Sequence, residues 1–310
     1  MSGCTLTRLA GRGGIDVTGS ERIRWLDGMV TQDVAALAVG AVAPCLALTH
    51  QGRIVADAWL WMFEDRVHLD CERAAAGPLC DHLERLVIAD DVALTDTSAG
   101  SARFSLEGEG AWDAVVAALG APPDAALVRV PFAGGSAVLA PHGLVSAAGV
   151  QLRVPAASAD ALEGALLAAP GVAPESAEAF EQRRVAAGVP WYGRELDQTV
   201  LPAEARLERA ISTTKGCYAG QEVVARMRSR GRVSSLLVSL AFEDDAVPPP
   251  GSALSVEGKK VGEVTSALRH PRHGAIGLGY VKASRAIPGT RVRVDGTHAT
   301  LSEPGATADA

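Results

Sequence analysis

Side chains that can do chemistry are concentrated in one short segment, KGCYAGQEVVARM, at residues 215–227. A lysine, a cysteine, a tyrosine, a glutamine and a glutamate fall within eight positions: Lys215, Cys217, Tyr218, Gln221 and Glu222. The glycines Gly216 and Gly220 would let the backbone turn sharply and approach a ligand closely. Because such groups are normally spread over a solvated surface, their density predicts a functional site.

Lys215 and Cys217 are the candidate reactive groups of this segment. Of the 29 lysines and arginines only four are lysines, so a lysine at 215 favours a compact ammonium whose pKa shifts on burial. The alternative is an exposed loop lysine. A thiolate at Cys217 could act as a nucleophile, and Lys215 would lower its pKa if an extended backbone placed both side chains on one side. The alternative for Cys217 is a small buried apolar residue.

An arginine run overlaps the end of the same segment. In RMRSRGR an arginine occupies every second position: Arg226, Arg228, Arg230 and Arg232. An extended conformation would align four guanidinium groups on one face, which suits an anionic ligand tail. The alternative is a solvated edge rich in arginine.

Composition and charge narrow the class of protein. A chain of 310 residues with 48% hydrophobic and 21% charged residues can form two domains and bury a sizeable core. Its net charge of −7 disfavours general binding to nucleic acids. Neither a signal peptide nor an apolar run long enough to span a bilayer occurs. We therefore expect a cytoplasmic protein without membrane contact.

The cysteines, histidines and glycines predict neither a metal site nor a nucleotide-binding loop. The five cysteines are scattered without a CxxC pair and indicate a reducing compartment. His270 and His273 have a spacing that could hold a metal, but no acidic or thiol side chain accompanies them in their predicted loop. The glycines of GAIGLG fall inside a strand pattern, where they permit close packing.

The elements that must position these groups alternate between strand and helix in the first half of the chain. The longest strand pattern is IVADAWLWMF at residues 54–63, where alternation places Asp57 on one face with Trp59 and Trp61. We predict helices after a capping Ser20 and, opened by proline, at residues 78–86. The fold class is therefore α+β.

The second half of the chain supplies a loop and a run of strands. A helix at residues 176–187 is followed by the loop VPWYGRELDQTVLPAEARL, which we expect to form the second wall of a pocket. Six strand patterns after residue 232 predict a small antiparallel β-barrel. We predict a domain at residues 1–232 made of two lobes that divide near 95–100, a barrel at 233–304 and a flexible tail at 305–310.

Four segments together resemble the YgfZ-type folate-binding proteins, relatives of the glycine cleavage T-protein that are implicated in iron–sulfur cluster assembly and repair. These segments are RWLDGMVTQDVAAL, LTHQGRIVADAWL, RRVAAGVPWYGRELDQTVLPAEARL and KGCYAGQE, and the similarity covers nearly the whole chain. The resemblance implies a T-protein-like, multi-lobe folate-binding fold. It implies tetrahydrofolate, or a one-carbon-substituted reduced folate, bound at the centre of a ring of lobes. Iron–sulfur proteins or their assembly factors would be the partners.

The resemblance also assigns roles to individual residues. Glu204 matches the T-protein glutamate that binds the pterin edge, although without the resemblance it would be an ordinary residue at the start of a helix. The working groups would be Cys217, Lys215 and Asp57. The other folate contacts would come from Lys215, Tyr218, Gln221, Tyr192, Arg226 and Trp59, with Trp61 as an alternative aromatic wall.

Two departures from the T-protein pattern favour the cluster-assembly branch. T-proteins carry paired aspartates where this chain has GRIVAD, which keeps Asp57 but presents Ala56. Cys217 is a YgfZ-type residue that T-proteins generally lack. The leading hypothesis is a tetrahydrofolate-binding protein that supports iron–sulfur enzymes. The alternatives are a tetrahydrofolate-dependent aminomethyltransferase or demethylase, and a non-catalytic scaffold.

Overall fold

The computed structural model describes residues 3–123, 126–231 and 233–305. The strands in chain order are β1 (Cys4–Arg8), β2 (Arg12–Thr18), β3 (Val42–Leu48), β4 (Ile54–Met62), β5 (Val67–Glu72), β6 (Ala93–Asp96), β7 (Ser101–Glu107), β8 (Val128–Phe132), β9 (Gly135–Ala140), β10 (Gly149–Pro155), β11 (Val172–Pro174), β12 (Ser235–Phe242), β13 (Ala253–Val256), β14 (Lys259–His270), β15 (Gly274–Lys282), β16 (Arg291–Val294) and β17 (Thr297–Ser302).

The α-helices lie among the strands between residues 22 and 230. They are α1 (Arg22–Met29), α2 (Arg73–Glu84), α3 (Ala111–Leu119), α4 (Ala159–Leu167), α5 (Ala177–Ala186) and α6 (Gln221–Arg230). Residues 306–310 of the predicted tail and Arg232 of the arginine run lie outside the described residues.

The chain divides into two compact units. The first comprises residues 1–48, 55–177 and 209–219, and the second comprises residues 49–54, 178–208 and 220–310. Each unit is therefore assembled from segments that are far apart in sequence.

The first unit is built on two sheets. One has five strands in the order β3-β4-β5-β2-β6, and the other has six in the order β11-β1-β7-β10-β9-β8. The apolar core of the six-stranded sheet includes side chains from α3 and α4, among them Phe104, Leu106, Val115, Leu152 and Leu162. Burial of this apolar surface is the main force that holds the helices on the sheet.

A layer of charged side chains joins the two sheets of the first unit. Arg103 of β7 reaches β5, where its Nε lies 3.2 Å from Asp70 Oδ1 and one terminal nitrogen lies 2.9 Å from His68 Nε2. All three side chains are buried. Buried charges are tolerated when they are paired and hydrogen-bonded, so this layer must form as a set.

The second unit contains the predicted β-barrel, which is confirmed. Six antiparallel strands close in the order β12-β15-β14-β13-β16-β17. The predicted packing role is confirmed for two glycines of GAIGLG, because a Cβ at Gly277 or Gly279 would lie 2.5 Å from a carbonyl oxygen of β14, whereas Gly274 begins β15 with a φ of +70° and open space where a Cβ would lie. Gly277 and Gly279 allow strands to pack rather than phosphate to bind.

Two helix starts differ from prediction. Pro78 does not open α2, which begins at Arg73 and carries the proline in its interior. Burial of four side chains on one face holds this helix together despite the missing N–H: Ala75, Ala76, Leu79 and Leu83. The predicted Ser20 cap is also wrong, because α1 starts after Glu21 and the Ser20 hydroxyl donates to Asp91 at 2.6 Å.

The described residues contain neither a membrane-spanning helix nor a metal-binding cluster of side chains. None of the helices in this part of the chain has the length and apolarity needed to cross a bilayer. Within the same residues, no group of three or more histidine, cysteine, aspartate or glutamate side chains could hold a metal ion.

Candidate functional site

The face of β4 that carries Asp57 adjoins ionisable side chains of the neighbouring strand β5. Register pairs Trp59 with Asp70 and Trp61 with His68 on the neighbouring strand β5. Directly opposed residues of an antiparallel pair point to the same side of a sheet. Asp57, two tryptophans and two ionisable residues therefore share one face, as the alternation predicted for Asp57 and the tryptophans.

Arg12 and Asp70 are the centre of a buried ionic network on this face. Arg12 donates to Asp70, and a second Arg12 nitrogen lies 3.1 Å from Glu72 Oε1. Arg103 approaches the other oxygen of Asp70. Burial raises the pKa of Asp70, but the guanidiniums of Arg12 and Arg103 outweigh this effect and hold it below its usual range. Asp70 is thus an anion held between two cations.

Asp57 has the opposite electrostatic environment. Its side chain is half-buried, and its Oδ1 atom is shielded from solvent and receives no hydrogen bond from another described residue. Burial raises the pKa of this carboxyl, and the positive charges of Arg12 and Arg209 oppose the rise only in part. A buried acceptor without a partner is costly, so this oxygen is suited to a donor from a ligand or to a proton of its own.

Trp59 and Trp61 are engaged within the first unit. The Trp59 ring stacks on His142 with centroids 3.9 Å apart, and the Trp61 ring lies edge-on to the same histidine at 6.3 Å. Trp61 is fully buried, whereas Trp59 is half-buried. Burial lowers the pKa of His142 to about 3, so the stacked imidazole is neutral at physiological pH. Trp59 thus keeps only part of its surface for a ligand.

Lys215 is buried, with 1% of its side chain exposed. Its ammonium donates to the backbone carbonyls of Asp27, Val30 and Gln32, the last two at 3.1 and 2.7 Å, and lies 3.1 Å from Asp27 Oδ1. The Tyr218 ring lies 5.5 Å from the same nitrogen. Lys215 therefore holds the end of α1 and the residues after it, because an ammonium has three N–H groups and all find acceptors here.

Cys217 is the exposed thiol of the segment. Cys4, Cys45 and Cys71 are buried, and Cys80 is intermediate. The alternative of a small buried residue is wrong for Cys217. Lys215 and Cys217 differ sharply in burial although only one residue separates them. The ammonium binds the carbonyls of residues 27–32, whereas the thiol faces solvent.

Glu204 lies in the second unit and is buried. Its Oε2 accepts the Leu201 N–H at 3.1 Å, and its Oε1 accepts the Ser235 hydroxyl at 3.0 Å. The Arg53 guanidinium lies 3.7 Å from Oε2. Each carboxylate oxygen has two lone pairs, so Oε2 can still accept an N–H donor. Glu204 is consequently a fixed, buried acceptor on the loop expected to line a pocket.

Gln221, Arg226 and Tyr192 also belong to the second unit. The arginine run is not extended, because Arg226 and Arg228 lie in α6, and helical geometry does not align every second side chain. Arg226 is exposed and pairs with Glu222 at 2.7 Å, one turn earlier. Gln221 is the first residue of α6, and Tyr192 forms an isolated bridge with Leu196.

Family models account for most of the chain. The GCVT N-terminal domain matches residues 2–215, and the glycine cleavage T-protein C-terminal barrel domain matches residues 236–302. The chain belongs to the glycine cleavage T-protein family. The predicted T-protein-like α+β fold with a C-terminal barrel is thereby confirmed.

Named relatives of this T-protein family member come from several lineages. An aminomethyltransferase of Geobacillus kaustophilus is 32% identical over 299 residues, 91% of this chain and 80% of that protein. The putative transferase At1g60990, chloroplastic, of Arabidopsis thaliana is 28% identical over 300 residues, 94% of this chain and 68% of that protein.

A solved structure has the same fold. The glycine cleavage system aminomethyltransferase T from Bartonella henselae superposes with a TM-score of 0.85 and 22% identity. The superposition covers 98% of this chain and 86% of that one.

Sequence reasoning missed the ionic network around Arg12 and the histidine that stacks on Trp59. A signal for the network was present, because VHLDCE places His68, Asp70 and Glu72 at alternate positions of a strand that is otherwise apolar. No comparable local signal marked His142, which stacks on Trp59 from a loop far later in the chain.

Proposed function

We propose that this T-protein family member binds a reduced folate and supports the assembly or repair of iron–sulfur enzymes. The observation that carries the folate assignment is Asp57 Oδ1, a shielded acceptor that receives no hydrogen bond from another described residue and lies at the position that matches the T-protein aspartate. Family membership across both domains supports the same conclusion. A bound reduced folate would supply one-carbon or redox chemistry that side chains lack.

Glu204 is the proposed anchor of the pterin. A pterin offers a ring N–H and an exocyclic amine side by side, and a carboxylate accepts such donors as charge-assisted hydrogen bonds. Glu204 is held in place by Leu201 and Ser235 before any ligand arrives, so little side-chain entropy is lost on binding. We expect Tyr192, Tyr218, Gln221, Arg226 and Trp59 to contribute the remaining contacts.

Titration calorimetry with tetrahydrofolate tests this assignment. Wild-type protein should bind saturably, and Glu204→Gln should weaken binding by about 1 to 3 kcal/mol, the usual effect of removing one partner of a buried hydrogen-bonded pair. The matched control is Glu208→Gln, an exposed glutamate of the same segment, which should bind like wild type. An unchanged dissociation constant in Glu204→Gln would place the pterin elsewhere, and no saturable binding in wild type would favour a scaffold.

Cys217 is the proposed working thiol for iron–sulfur enzymes. It lies in KGCYAGQE, the segment that resembles the YgfZ-type signature, and it is exposed to a partner protein. The described cysteines are all free, which fits a reducing cytoplasm. Lys215 would act by fixing residues 27–32 beside this segment, and Asp57 by providing a carboxyl of raised pKa.

Complementation separates the thiol's role from folding. In cells that lack the protein, Cys217→Ser should fail to restore the activity of iron–sulfur enzymes, while the purified variant keeps wild-type folate affinity. Cys80→Ser, which removes a half-buried thiol on α2, should restore activity fully. Full rescue by Cys217→Ser would remove the thiol from the mechanism.

Aminomethyl transfer to tetrahydrofolate is the second candidate function. The relative from Geobacillus kaustophilus is named an aminomethyltransferase, and Asp57, a carboxyl that holds its proton more readily than a surface aspartate, is retained. Ala56 weighs against this candidate, because it is fully buried and replaces the second aspartate of the T-protein pattern.

Single-turnover assays decide between the two functions. Incubation with tetrahydrofolate and an S-aminomethyl thiol, whose one-carbon unit is already at the oxidation level of formaldehyde, should yield methylenetetrahydrofolate, ammonia and the free thiol if the chain is a transferase. Asp57→Asn should abolish these products. Intact folate binding without turnover is the outcome expected from the leading proposal.

A further inference from the structure

The first unit has a cleft with a volume of about 260 Å³ whose lining does not include Asp57. Its lining combines three arginines with two serines, a glycine and apolar residues: Arg66, Arg129, Arg153, Ser101, Ser136, Gly100, Val138, Val154 and Pro155. The assigned site residues are absent from this lining. Three guanidinium groups in so small a volume need an anionic counterpart.

Strand register brings two of these arginines together. Arg129 of β8 pairs with Val138 of β9, and Val138 pairs in turn with Arg153 of β10. Directly opposed residues share a face, so both arginines project from the same side of the sheet, two strands apart, or about 10 Å at the backbone. Long side chains span that gap easily. Arg66, from the turn between β4 and β5, completes the group.

The carboxylates near the cleft do not neutralise it. Asp16 lies 3.2 Å from Arg66 and 3.7 Å from Arg153, and it also receives His68 Nδ1 at 2.6 Å. Arg66 has a second partner in the exposed Asp65. Among the residues that the structure describes, Arg129 has no carboxylate partner and Arg153 donates no hydrogen bond.

Arg153 shows most clearly that the cleft lacks negative charge. With 16% of its side chain exposed, it is largely shielded from water. Burial lowers the pKa of its guanidinium, and the charges of Arg66 and Arg129 lower it further, despite the opposing carboxylate of Asp16. Its one carboxylate contact within 4 Å among the described residues is Asp16, at 3.7 Å, so the charge of this largely buried cation is incompletely compensated. A bound anion would supply the missing compensation.

Phe63 orients two of the three guanidinium groups. The guanidinium carbon of Arg66 lies 4.6 Å from the Phe63 ring centroid, and that of Arg129 lies 5.5 Å from it. A cation that packs on an aromatic face has fewer accessible rotamers. The cleft therefore holds its donors in place before a ligand binds, which reduces the entropic cost of binding.

We propose that the Arg66, Arg129 and Arg153 cleft binds the phosphate group of a small phosphorylated molecule. Guanidinium forks match the oxygens of phosphate, and three of them can surround the tetrahedral dianion. The Ser101 and Ser136 side chains border the same space and offer hydroxyl groups of the kind that bind phosphate. This binding is independent of the folate proposal, since the two sets of residues do not overlap.

Calorimetry with inorganic phosphate and with pyrophosphate, on the full chain at fixed ionic strength, tests the proposal. Wild-type protein should bind pyrophosphate saturably, and Arg129→Ala and Arg153→Ala should each weaken binding about tenfold or more, the usual effect of losing a charge-assisted hydrogen-bond donor. The matched control is Arg85→Ala, an exposed arginine of the same unit that removes the same charge. It should bind pyrophosphate like wild type.

Two further measurements make the result specific. Arg153→Lys keeps the charge but loses the fork, so it should still weaken pyrophosphate binding. Glutarate, a dicarboxylate, should bind at least tenfold more weakly than pyrophosphate. Because Arg129 is exposed, Arg129→Ala should fold normally even if changes at Arg153 impair folding, and its circular dichroism spectrum verifies this. No saturable pyrophosphate binding, equal losses in Arg85→Ala and Arg129→Ala, or equal affinity for glutarate would each overturn the proposal.

Discussion

The ammonium of Lys215 lies 2.7 Å from the carbonyl oxygen of Gln32, although 183 residues separate the two in sequence. The same nitrogen reaches the carbonyl of Val30 at 3.1 Å. Carbonyls at the end of a helix have no partner within the helix, and a lysine is a favourable donor to them. Lys215 thus holds the segment of residues 215–227 against the end of α1 through hydrogen bonds.

Replacing Lys215 should therefore destabilise the fold. We expect Lys215→Met, which keeps the apolar stem, to lower the free energy of unfolding by about 2 to 4 kcal/mol, because it leaves buried carbonyls and the Asp27 carboxylate without their cation. Urea unfolding provides the measurement. Lys282→Met, at an exposed lysine, should change stability by less than about 0.5 kcal/mol. Equal stabilities of wild type and Lys215→Met would mean that these hydrogen bonds contribute nothing.

His142 should make the fold sensitive to acid. Burial lowers its folded-state pKa to about 3 from an ordinary 6.5, and the charges of Asp70 and Arg12 have opposite, smaller effects. The ring packs against Trp59 and Trp61. Between pH 6.5 and about 3, the His142 imidazole is protonated in the unfolded chain and neutral in the folded chain. Stability is therefore full above about pH 6.5 and falls as the pH drops toward about 3, by about 1.4 kcal/mol per pH unit.

His142→Phe isolates this effect, because phenylalanine keeps a ring to stack on Trp59 and cannot be protonated. Urea unfolding between pH 7 and pH 4 should show a shallower loss of stability in the variant than in wild type. His298→Phe is the control, at a half-exposed histidine of the barrel, and should leave the slope of wild type unchanged. Parallel curves for wild type and His142→Phe would contradict the assignment.

The cysteines should differ widely in reactivity. Burial raises the pKa of Cys45 and Cys71 far above the ordinary range, and burial with the nearby Glu84 raises that of Cys80 to about 11. Because the thiolate is the reacting species, an aromatic disulfide reagent should modify the exposed Cys217 first in the native protein. Mass spectrometry of peptides after brief labelling identifies the modified residue. Cys217→Ser should lack the fast phase, and a fast phase that persists would assign it to another thiol.

The loop that carries Tyr192 and Glu204 should depend on the buried ion pair between Arg184 and Glu195. Arg184 and Glu195 are both buried and lie 2.8 Å apart, and Glu195 also accepts the Trp191 N–H at 3.1 Å. Glu195→Gln removes one of two carboxylates that contact Arg184, and Glu181, 2.8 Å away, keeps part of the compensation. The variant should therefore lose about 1 to 3 kcal/mol of stability.

An exposed pair supplies the comparison for Glu195. Glu222→Gln breaks the surface contact with Arg226 and should cost at most about 0.5 kcal/mol in the same urea experiment. Similar losses of unfolding free energy in the two variants would show that the buried pair stabilises the fold no more than the exposed pair does.

Local pattern was sufficient for the barrel and for some strands of the first half of the chain, whereas β1, β6, β8, β9 and β10 were not predicted. Strand alternation and turn signals depend only on residues that are neighbours in sequence, so β4, β5 and the six barrel strands could be located from sequence. Helix boundaries were less accessible. Pro78 is a strong local start signal, yet tertiary burial of the surrounding apolar face extends α2 beyond it on the N-terminal side.

Sequence by itself determined which residues could act: the lysine, thiol and carboxylates of the T-protein pattern, and a barrel at the C-terminal end. Tertiary structure alone decided what surrounds them, namely the carbonyls around Lys215, the unpaired Oδ1 of Asp57 and the register that puts Arg129 and Arg153 on one face. The physical reason is that hydrogen bonding, burial and charge depend on neighbours in space, which residues far apart in the chain supply.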